Sequence, residues 1–455
     1  MTLDLLLSNG EIVFPGQGVR TGSIGVRDGR IVSLHAPGEI PKATRTIDCR
    51  DHWIMPGVID PHTHIGFGSA QSDFRTEARS AALGGVTSLM TFHRSADLRD
   101  STGPWREQGE SQSLIDFGFH FGVTSHLHVE TLAECARRFG VTSVKVYLMY
   151  KGKAGLAKGF TEVDDGLLYA AMLATRHIPG GVVGVHCENV EVIPVLREPL
   201  KAAGRTDLAA WDEQSPGFLE AENVFRVMYF GEKTECPVNI VHMSSRESLD
   251  IVRRFGGRGR APVHVETCSH YLSLTRDAPC GVLGKVNPPL RGMEDVDALW
   301  GGVADGTIST IGSDHVPRKR ATKGDDLWTA SAGFPGIGAM LPILLHEGVR
   351  RRGIAIEKIA AATSLNVAEL YSIPGKGSIA IGMDADFVIV DPDREFLVDH
   401  ATQESHSDYS PYQGMRFVGA PVRTILRGRT IAVDGSVEPE AGHAPQGRYL
   451  HRDRS

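Results

Sequence analysis

The chain has 455 residues, of which 41% are hydrophobic and 23% are charged, and its formal net charge is −7. These values suit a globular enzyme with one large and one smaller domain, and no apolar run is long enough to span a membrane. Lysine and arginine are scattered rather than gathered into a basic stripe, so we expect neither nucleic acid nor a membrane as a partner.

The chain begins with short predicted strands and tight turns. Its first segment, MTLDLLLSNGEIVF, lacks the basic region of a signal peptide. The Asn-Gly pair in LLLSNGEIVF and the Asp-Gly pair in GSIGVRDGRIVSL each predict a hairpin. The same combination of short apolar runs and turn residues occurs again in GMDADFVIVDPD and PVRTILRGRTIAVDG. We therefore predict one small β-sandwich domain built from both chain ends, residues 1–52 and 374–455.

The middle of the chain, residues 53–373, alternates between strand-like and helix-like segments. Eight short apolar runs read as strands: GVIDPHTH, GVTSLMTF, FGFHFGV, SVKVYLM, GVVGVHC, VNIVHMS, VHVETC and TISTIGSD. Helix-like stretches such as DFRTEARSAALGG and SRESLDIVRRFG lie between many of them. This pattern predicts an α/β fold, a (β/α)₈ TIM-like barrel. In such a barrel the active site lies at the carboxyl ends of the strands.

Ionisable side chains occur where five of these predicted strands end. They are His62, His64, Lys145, His186, His242 and Asp314. Residues two apart on a strand face the same way, so both histidines of the first strand would point into the barrel mouth. Histidine and carboxylate are standard ligands of zinc and of neighbouring transition metals. The joint placement predicts a metal-dependent active site.

Taken singly, each of these residues has an ordinary structural explanation. A histidine at a strand end is more often a hydrogen-bonded structural residue than a ligand. Asp314 could cap a helix, and Lys145 could extend its amino group to the barrel rim. Their convergence at one face of one barrel favours the metal site. His315 is a candidate partner that orients a ligand by a hydrogen bond.

Several blocks of the sequence resemble the signature blocks of the cyclic amidohydrolases. They are MPGVIDPHTH, SVKVYLMYKG, GVHCEN, IVHMSS, ETCSHYL, NPPLR, GSDHVP and the segment TSLNVAELYSIPGKGSIAIGMDADFVIVDPD. The similarity covers nearly the whole chain. Within this superfamily the sequence is most similar to hydantoinases and dihydropyrimidinases. The resemblance implies a hydrolase that opens the amide bond of a cyclic ureide or imide of the hydantoin or dihydropyrimidine type.

The resemblance also implies a cofactor set, namely two divalent metal ions per chain, zinc in the first place. By this implication His62 and His64 bind one ion together with Asp314, and His186 and His242 bind the other. In such enzymes the lysine of the fourth strand carries a carbamate formed with CO₂. The N6-carboxylated lysine would bridge the two ions, as would a hydroxide. A buried cation would thereby become a metal-compensated anion.

Asp314 and three further residues are implied in catalysis and substrate binding. Asp314 would take the proton of the hydroxide and deliver it to the leaving nitrogen. Tyr150 lies five residues after the bridging lysine, where the hydantoinase group has a tyrosine that stabilises the oxyanion. The backbone around Asn287 resembles the segment that hydrogen-bonds the substrate imide. Ala332 stands where those enzymes have an asparagine that binds substrate through its backbone.

Departures from the pattern keep other activities open. Dihydroorotases have an arginine two residues after the second histidine of HxH, where this chain has Gly66. The block NPPLR is closer to allantoinases and dihydroorotases than to hydantoinases, which makes allantoinase the first alternative. A dihydroorotase-like enzyme is less favoured, and so is a non-catalytic dihydropyrimidinase-like scaffold, because all six ligand positions are filled. A mononuclear deaminase would need no bridging lysine.

The cellular setting is predicted from composition and from the relatives. The six cysteines form no CxxC pair, which suits a reducing cytoplasm better than a disulfide framework. Relatives of this kind are usually homodimers or homotetramers, and we expect one of these assemblies. The expected partner is a small cyclic amide substrate.

Overall fold

A computed structural model describes residues 2–257, 259–439 and 444–452 of the chain. Nine strands lie in one mainly antiparallel sheet: β1 (Leu3–Phe14), β2 (Gly18–Arg27), β3 (Arg30–His35), β4 (Ala43–Asp48), β5 (Trp53–Pro56), β14 (Phe387–Leu397), β15 (Arg416–Leu426), β16 (Arg429–Val433) and β17 (Ser436–Val437). Eight lie in a second sheet: β6 (Val58–Thr63), β7 (Val86–His93), β8 (Asp116–Val123), β9 (Ser143–Tyr147), β10 (Val182–His186), β11 (Val238–Ile240), β12 (Val263–Cys268) and β13 (Thr310–Gly312).

The second sheet is the predicted barrel. Its strands pair in parallel in the order of the chain, and each of the eight predicted runs matches one of them, with β7 and β8 extending one residue beyond their runs. A parallel bridge between Thr63 and His315 brings the last strand back to the first. Nearly every strand residue is buried, as expected for parallel strands covered by helices on their outer side. The (β/α)₈ prediction is confirmed.

Thirteen α-helices are described. They are α1 (Asp73–Leu83), α2 (Leu98–Gln112), α3 (His126–Phe139), α4 (Gly152–Leu156), α5 (Asp165–Thr175), α6 (Ile193–Ala202), α7 (Leu208–Glu213), α8 (Gly217–Thr234), α9 (Arg246–Phe255), α10 (Met293–Asp305), α11 (Met340–Leu344), α12 (Ile356–Ala360) and α13 (Asn366–Leu370). Wider π-helical turns cover Leu345–Arg350 and Ala361–Leu365. Among the described helices, none combines the length and apolar character needed to cross a bilayer.

The small domain combines strands from both ends of the chain, as predicted. The sheet branches at β1, where β4 pairs with the first half of the strand and β5 with the second half. One apolar core joins the two wings, with Leu7 and Ile24 from one wing and Ile54 and Phe387 from the other. The predicted domain limits of 1–52, 53–373 and 374–455 stay a prediction, although β5 lies in the small sheet.

The two glycine turn signals near the start of the chain have different outcomes. Asp28 and Gly29 both have positive φ angles, 52° and 73°, and they connect β2 to β3 as a tight hairpin turn. The hairpin predicted at Asn9 is wrong, because β1 continues through it and pairs with β2 on both sides. Asn9 has a φ of 61° at a bulge between Leu7 and Gly10. The extra residue bends the strand without reversing it.

The last described segment, residues 444–452, returns to the barrel rather than ending in the small sheet. The Phe117 amide donates to the Arg448 carbonyl at 3.0 Å, and the Leu450 amide donates to the Phe117 carbonyl at 2.7 Å. The Arg452 side chain is fully buried and donates to Ser143 Oγ at 2.9 Å. This segment therefore packs on β8, away from the strand ends that carry the predicted ligands.

A buried ion cluster joins the small domain to the barrel. Lys376 Nζ lies 2.7 Å from Asp116 Oδ2 and 2.5 Å from Asp386 Oδ2. Arg427 Nη1 lies 2.5 Å from the same Asp116 oxygen. Asp116 begins β8 of the barrel, whereas the other three residues belong to or flank the small sheet. Each buried charge has an opposite charge beside it, which is the condition for burying ions without a large penalty.

Candidate metal centre and substrate pocket

The six predicted ligands lie on or next to five barrel strands, at the carboxyl ends. His62 is on β6 with His64 just after it, Lys145 is on β9, His186 ends β10, and His242 and Asp314 follow β11 and β13. The backbone is left-handed at two of these positions, with φ angles of 42° at His242 and 47° at Asp314. Such angles are uncommon outside glycine and are concentrated at functional sites.

Four of these side chains form one cluster, in which each polar group lies within 3.2 Å of another. Asp314 Oδ1 lies 3.2 Å from His62 Nε2 and 3.0 Å from His64 Nε2. Lys145 Nζ lies 2.9 Å from His62 Nε2. The two histidines and the aspartate offer three ligand atoms close enough to hold one metal ion. This is the first of the two predicted ligand sets.

The other two histidines form a second pair beside the first set. His186 Nδ1 and His242 Nε2 lie 2.9 Å apart. The His242 ring centroid is 5.2 Å from that of His62, so the two sets are adjacent. Lys145 is buried and interacts with the His62 side of the site.

Buried carboxylates orient one histidine of each set. Glu266 Oε1 on β12 lies 2.5 Å from His62 Nδ1, and Glu188 Oε2 lies 3.0 Å from His186 Nε2. Ser215 Oγ donates to the other Glu188 oxygen at 2.7 Å. A histidine that donates one ring N–H to a carboxylate keeps the lone pair of the other nitrogen for a metal.

Sequence reasoning missed both of these glutamates. Glu266 lies in the block VHVETC and Glu188 in GVHCEN, and both blocks were recognised. The available signal was a carboxylate inside or just after an apolar strand, where burial demands a partner. His315, the predicted orienting partner, instead lies 2.8 Å from Glu77 Oε2 and accepts the Gly336 amide at 3.0 Å. It fixes the loop around Asp314 rather than a ligand ring.

The electrostatics of the site differ sharply between its lysine and its aspartate. Burial lowers the pKa of Lys145 to about 8, and in the described part of the chain its amino group forms no ion pair. Although burial alone would raise the pKa of Asp314, the charge of His62 and hydrogen bonds from His62 and His64 hold it well below its usual range. The aspartate is therefore an anion at neutral pH.

The donor set fits two divalent ions. Both rings that are held by carboxylates direct the free nitrogen inward, toward Asp314 in one set and toward His242 in the other. Imidazole nitrogen and carboxylate oxygen suit zinc and its neighbours. The aspartate, the four histidines and a carboxylated Lys145 would hold the pair.

The site opens into a cavity of about 1010 Å³. Tyr150, Asn287 and Ala332 all line this cavity. The Tyr150 hydroxyl accepts a hydrogen bond from Arg94 Nη1 at 2.9 Å, and its ring stacks on Phe160 at 4.3 Å between centroids. Asn287 Oδ1 accepts from Trp211 Nε1 at 3.2 Å, so its side chain already has a partner within the protein.

Two cavity-lining arginines were not singled out from the sequence. Arg94 directly follows β7, and Arg318 lies four residues after Asp314. Both guanidinium groups lie over the Phe67 ring, at 5.1 Å and 5.8 Å from its centroid. They come from loops that are distant in sequence, so no spacing within one motif could have joined them.

Comparison with known proteins agrees with this geometry. The profile of the Amidohydrolase family matches residues 240–431. The chain is 31% identical to a D-hydantoinase of Ralstonia pickettii, over 99% of each protein. It is 34% identical to an allantoinase of Desulfitobacterium hafniense, over 98% of each. Among solved structures it superposes on an L-hydantoinase (dihydropyrimidinase) from Arthrobacter aurescens with a TM-score of 0.89 and 29% identity, over 99% of this chain and 100% of the other.

The 31% sequence identity with the D-hydantoinase extends over nearly the full length of both proteins. The superposition on the L-hydantoinase covers both the barrel and the small β domain. The barrel mouth also carries the histidine and aspartate donors that a metal-dependent hydrolase requires. The chain therefore belongs to the amidohydrolase family, among its cyclic amidohydrolases.

Proposed function

We propose that the protein is a binuclear metal-dependent hydrolase that opens the amide bond of a cyclic ureide or imide, of the hydantoin or dihydropyrimidine type. The observation that carries this proposal is the meeting of His62, His64 and Asp314 beside the pair formed by His186 and His242. When bound there, two divalent ions would lower the pKa of a water between them and polarise the scissile carbonyl.

We infer that zinc is the metal and that Lys145 is carboxylated. The amino group is buried and lacks an ion pair among the described residues, and burial lowers its pKa to about 8. A neutral amine is the form that reacts with CO₂, and this pKa makes that form accessible near neutral pH. The carbamate would place a negative oxygen pair between the two ligand sets and remove the cost of a buried cation.

The chain's own residues supply the remaining chemistry. We assign Asp314 to take the proton of the attacking water and to carry it to the leaving ring nitrogen. Tyr150 would donate its hydroxyl hydrogen to the developing oxyanion, while Arg94 holds the phenol by a 2.9 Å hydrogen bond. The backbone at Asn287 and Ala332 would pair with the imide edge of the ring.

Allantoinase is the second candidate. The D. hafniense allantoinase is 34% identical to this chain, slightly above the 31% of the R. pickettii D-hydantoinase. The block NPPLR also resembles allantoinases more than hydantoinases. Apolar side chains that line the cavity, such as Phe67 and Met149, favour a ring with a substituent that is not wholly polar. We keep the hydantoin or dihydropyrimidine ring as the first choice.

A turnover panel tests the proposal. Protein purified without chelator is assayed against hydantoin, 5-substituted hydantoins, dihydrouracil, allantoin and dihydroorotate, and its metal content is measured in parallel. We expect about two ions per chain and ring opening of a neutral hydantoin or dihydropyrimidine. A preference for allantoin would select the second candidate. Activity retained with less than about one ion per two chains would contradict the binuclear proposal.

Two further properties complete the proposal. We infer a cytoplasmic enzyme, supported by six cysteines that are all free and mostly buried. We also infer a homodimer or homotetramer, which light scattering of the purified protein tests directly. A monomer at micromolar concentration would contradict the second inference.

A further inference from the structure

The cavity next to the proposed metal site is strongly basic, although the chain as a whole is acidic. Eight lysine and arginine side chains line it, against three aspartate and glutamate side chains, in a protein with a formal net charge of −7. A cleft lined by charges of one sign concentrates ligands of the other sign. A ligand can be bound most readily by those cations that do not already pair with groups of the protein.

Several of the cations already have protein partners. Lys151 Nζ lies 3.2 Å from both Asp165 Oδ1 and Glu191 Oε2. Lys285 Nζ donates to the Leu327 carbonyl at 2.6 Å. These groups contribute to the potential of the cavity but are held in place by the protein.

Arg94 and Arg318 are set apart by a shared position, because both guanidinium groups lie over the Phe67 ring. Neither forms an ion pair with a carboxylate in residues 2–257, 259–439 and 444–452. The Nε atom of Arg318 is buried and has no hydrogen-bond partner in that part of the chain. The positive charge of Arg94 acts on Arg318 unfavourably. Two guanidinium groups that repel each other, one of them with an unmatched buried donor, form a site that an anion would complete.

The position of this pair relates it to the proposed chemistry. The Phe67 ring, over which both guanidinium groups lie, is 5.2 Å from the His64 ring between centroids. Arg94 Nη1 donates to the Tyr150 hydroxyl. An anion between the two arginines would therefore lie beside the reacting ring, on the side of Phe67 and Tyr150, and would not occupy the ligand positions themselves.

We propose that Arg94 and Arg318 bind a carboxylate carried on a substituent of the substrate ring. This inference rests on the proposed function and narrows its substrate class from cyclic ureides and imides in general to a preference for those that carry an acidic side chain. A guanidinium fork matches the two oxygens of a carboxylate, and such charge-assisted hydrogen bonds are about twice as strong as neutral ones. The Phe67 ring, over which both guanidinium groups lie, suits the apolar stem of such a substituent.

The test uses two substrates of nearly equal shape, hydantoin-5-acetic acid and its primary amide, with the metal-loaded enzyme. We expect kcat/KM for the acid to exceed that for the amide by about 10- to 100-fold, because hydrogen bonds to charged groups contribute in that range. Arg318→Gln is expected to bring the acid-to-amide ratio close to one, and Arg318→Lys to give an intermediate ratio. Arg94→Gln should lower both rates through Tyr150, and the acid rate more.

Lys319→Gln is the matched control, since it removes the same charge from the neighbouring exposed residue outside the cavity. Its acid-to-amide ratio should equal that of the unmodified enzyme. The proposal is overturned if the unmodified enzyme shows no preference for the acid, or if Arg318→Gln keeps it. If neither compound is hydrolysed, the proposed function is wrong, and calorimetric titration of both compounds then tests the carboxylate site on its own. Equal affinity for acid and amide would overturn the carboxylate site as well.

Discussion

Two buried lysines, one at each end of the barrel, have opposite electrostatic surroundings. Lys376 lies at the junction with the small domain, with Asp116, Asp386 and Asp384 within 2.7, 2.5 and 3.4 Å of its amino group. Lys145 lies at the mouth, with His62 Nε2 at 2.9 Å and the Phe92 ring at 4.1 Å. The first is a compensated cation, and the second is not.

Their pKa values move accordingly. Although burial lowers it, the carboxylates of Asp386 and Asp116 raise the pKa of Lys376 above its usual range. Burial lowers the pKa of Lys145 to about 8. A third buried lysine, Lys323, also forms no ion pair with a carboxylate in the described part of the chain, but it donates to the backbone carbonyls of Lys285 and Ser331. A buried lysine that has neither a carboxylate nor a backbone carbonyl as its partner is a candidate for covalent modification of its amino group.

The largest effect is expected from changing Lys145. Lys145→Ala and Lys145→Arg should both lose most of the bound metal and lower kcat by about a thousandfold or more, since two-ion assistance contributes several kcal/mol. A guanidinium cannot form the carbamate and stays cationic. Metal analysis and turnover measure the effect, and circular dichroism should show an intact fold.

The arginine variant separates the carbamate from a rim cation. A lysine that only held a positive charge would tolerate Lys145→Arg with metal and rate retained, and this result would refute the carbamate. Short carboxylic acids added with metal are expected to restore part of the activity of Lys145→Ala, because they place an oxygen anion in the vacated space. No such rescue is expected for Lys145→Arg, whose side chain fills that space.

Lys376→Met should affect stability instead of metal binding. Removing one partner from a buried ion cluster typically costs about 3–5 kcal/mol, because the remaining carboxylates keep their charge without compensation. Urea unfolding measures the change, and the folded fraction should bind as much metal as the unmodified protein. Arg394→Met, which breaks the exposed pair with Asp434, is the control and should change stability by less than about 1 kcal/mol. Equal effects of the two variants would contradict the role of the cluster.

Glu266→Gln tests the carboxylate behind a proposed ligand. Orienting partners of this kind change metal affinity by about 10- to 100-fold, so the variant should release metal to a chelator at correspondingly lower concentrations. Glu77→Gln is a matched control, because Glu77 holds His315 by the same type of contact at 2.8 Å. An equal loss of metal affinity in both variants would contradict a specific role of Glu266 in orienting His62, since Glu77 contacts His315 and not a proposed ligand.

Much of the barrel could be predicted because its determinants are local. Each barrel strand lies in a short apolar run, and most of these runs are rich in β-branched residues. The strand ends place His62, Asp314 and the other candidates without knowledge of distant contacts. The hairpin expected at Asn9 failed because tertiary pairing of β1 with β2 overrode a local turn signal. The family resemblance supplied roles that the spacing alone leaves open.

What the sequence could not provide is the pairing between distant segments. The contact of His62 with Glu266 joins residues 204 apart, and that of Lys376 with Asp116 joins the two domains. Arg94 and Arg318 are brought over one aromatic ring only when the barrel closes. Such contacts depend on the geometry of the assembled fold, so a single sequence indicates that buried charges need partners but not which partners they find.

The smallest expected effect is a pH dependence that sharpens the contrast between the two lysines. In the unfolded chain Lys376 releases its proton near pH 10.4, whereas in the folded protein it keeps the proton to higher pH. Its contribution to stability is therefore complete below that pH and is lost as the pH rises, by at most about 1.4 kcal/mol per pH unit. Buried tyrosines such as Tyr412 act in the same direction, since burial raises their pKa, so only the difference between the unmodified protein and Lys376→Met isolates the lysine. Urea unfolding at several pH values from 9 to 11 should show the two stabilities converging as the pH rises. Parallel curves would mean that the Lys376 proton is not held more tightly in the folded state.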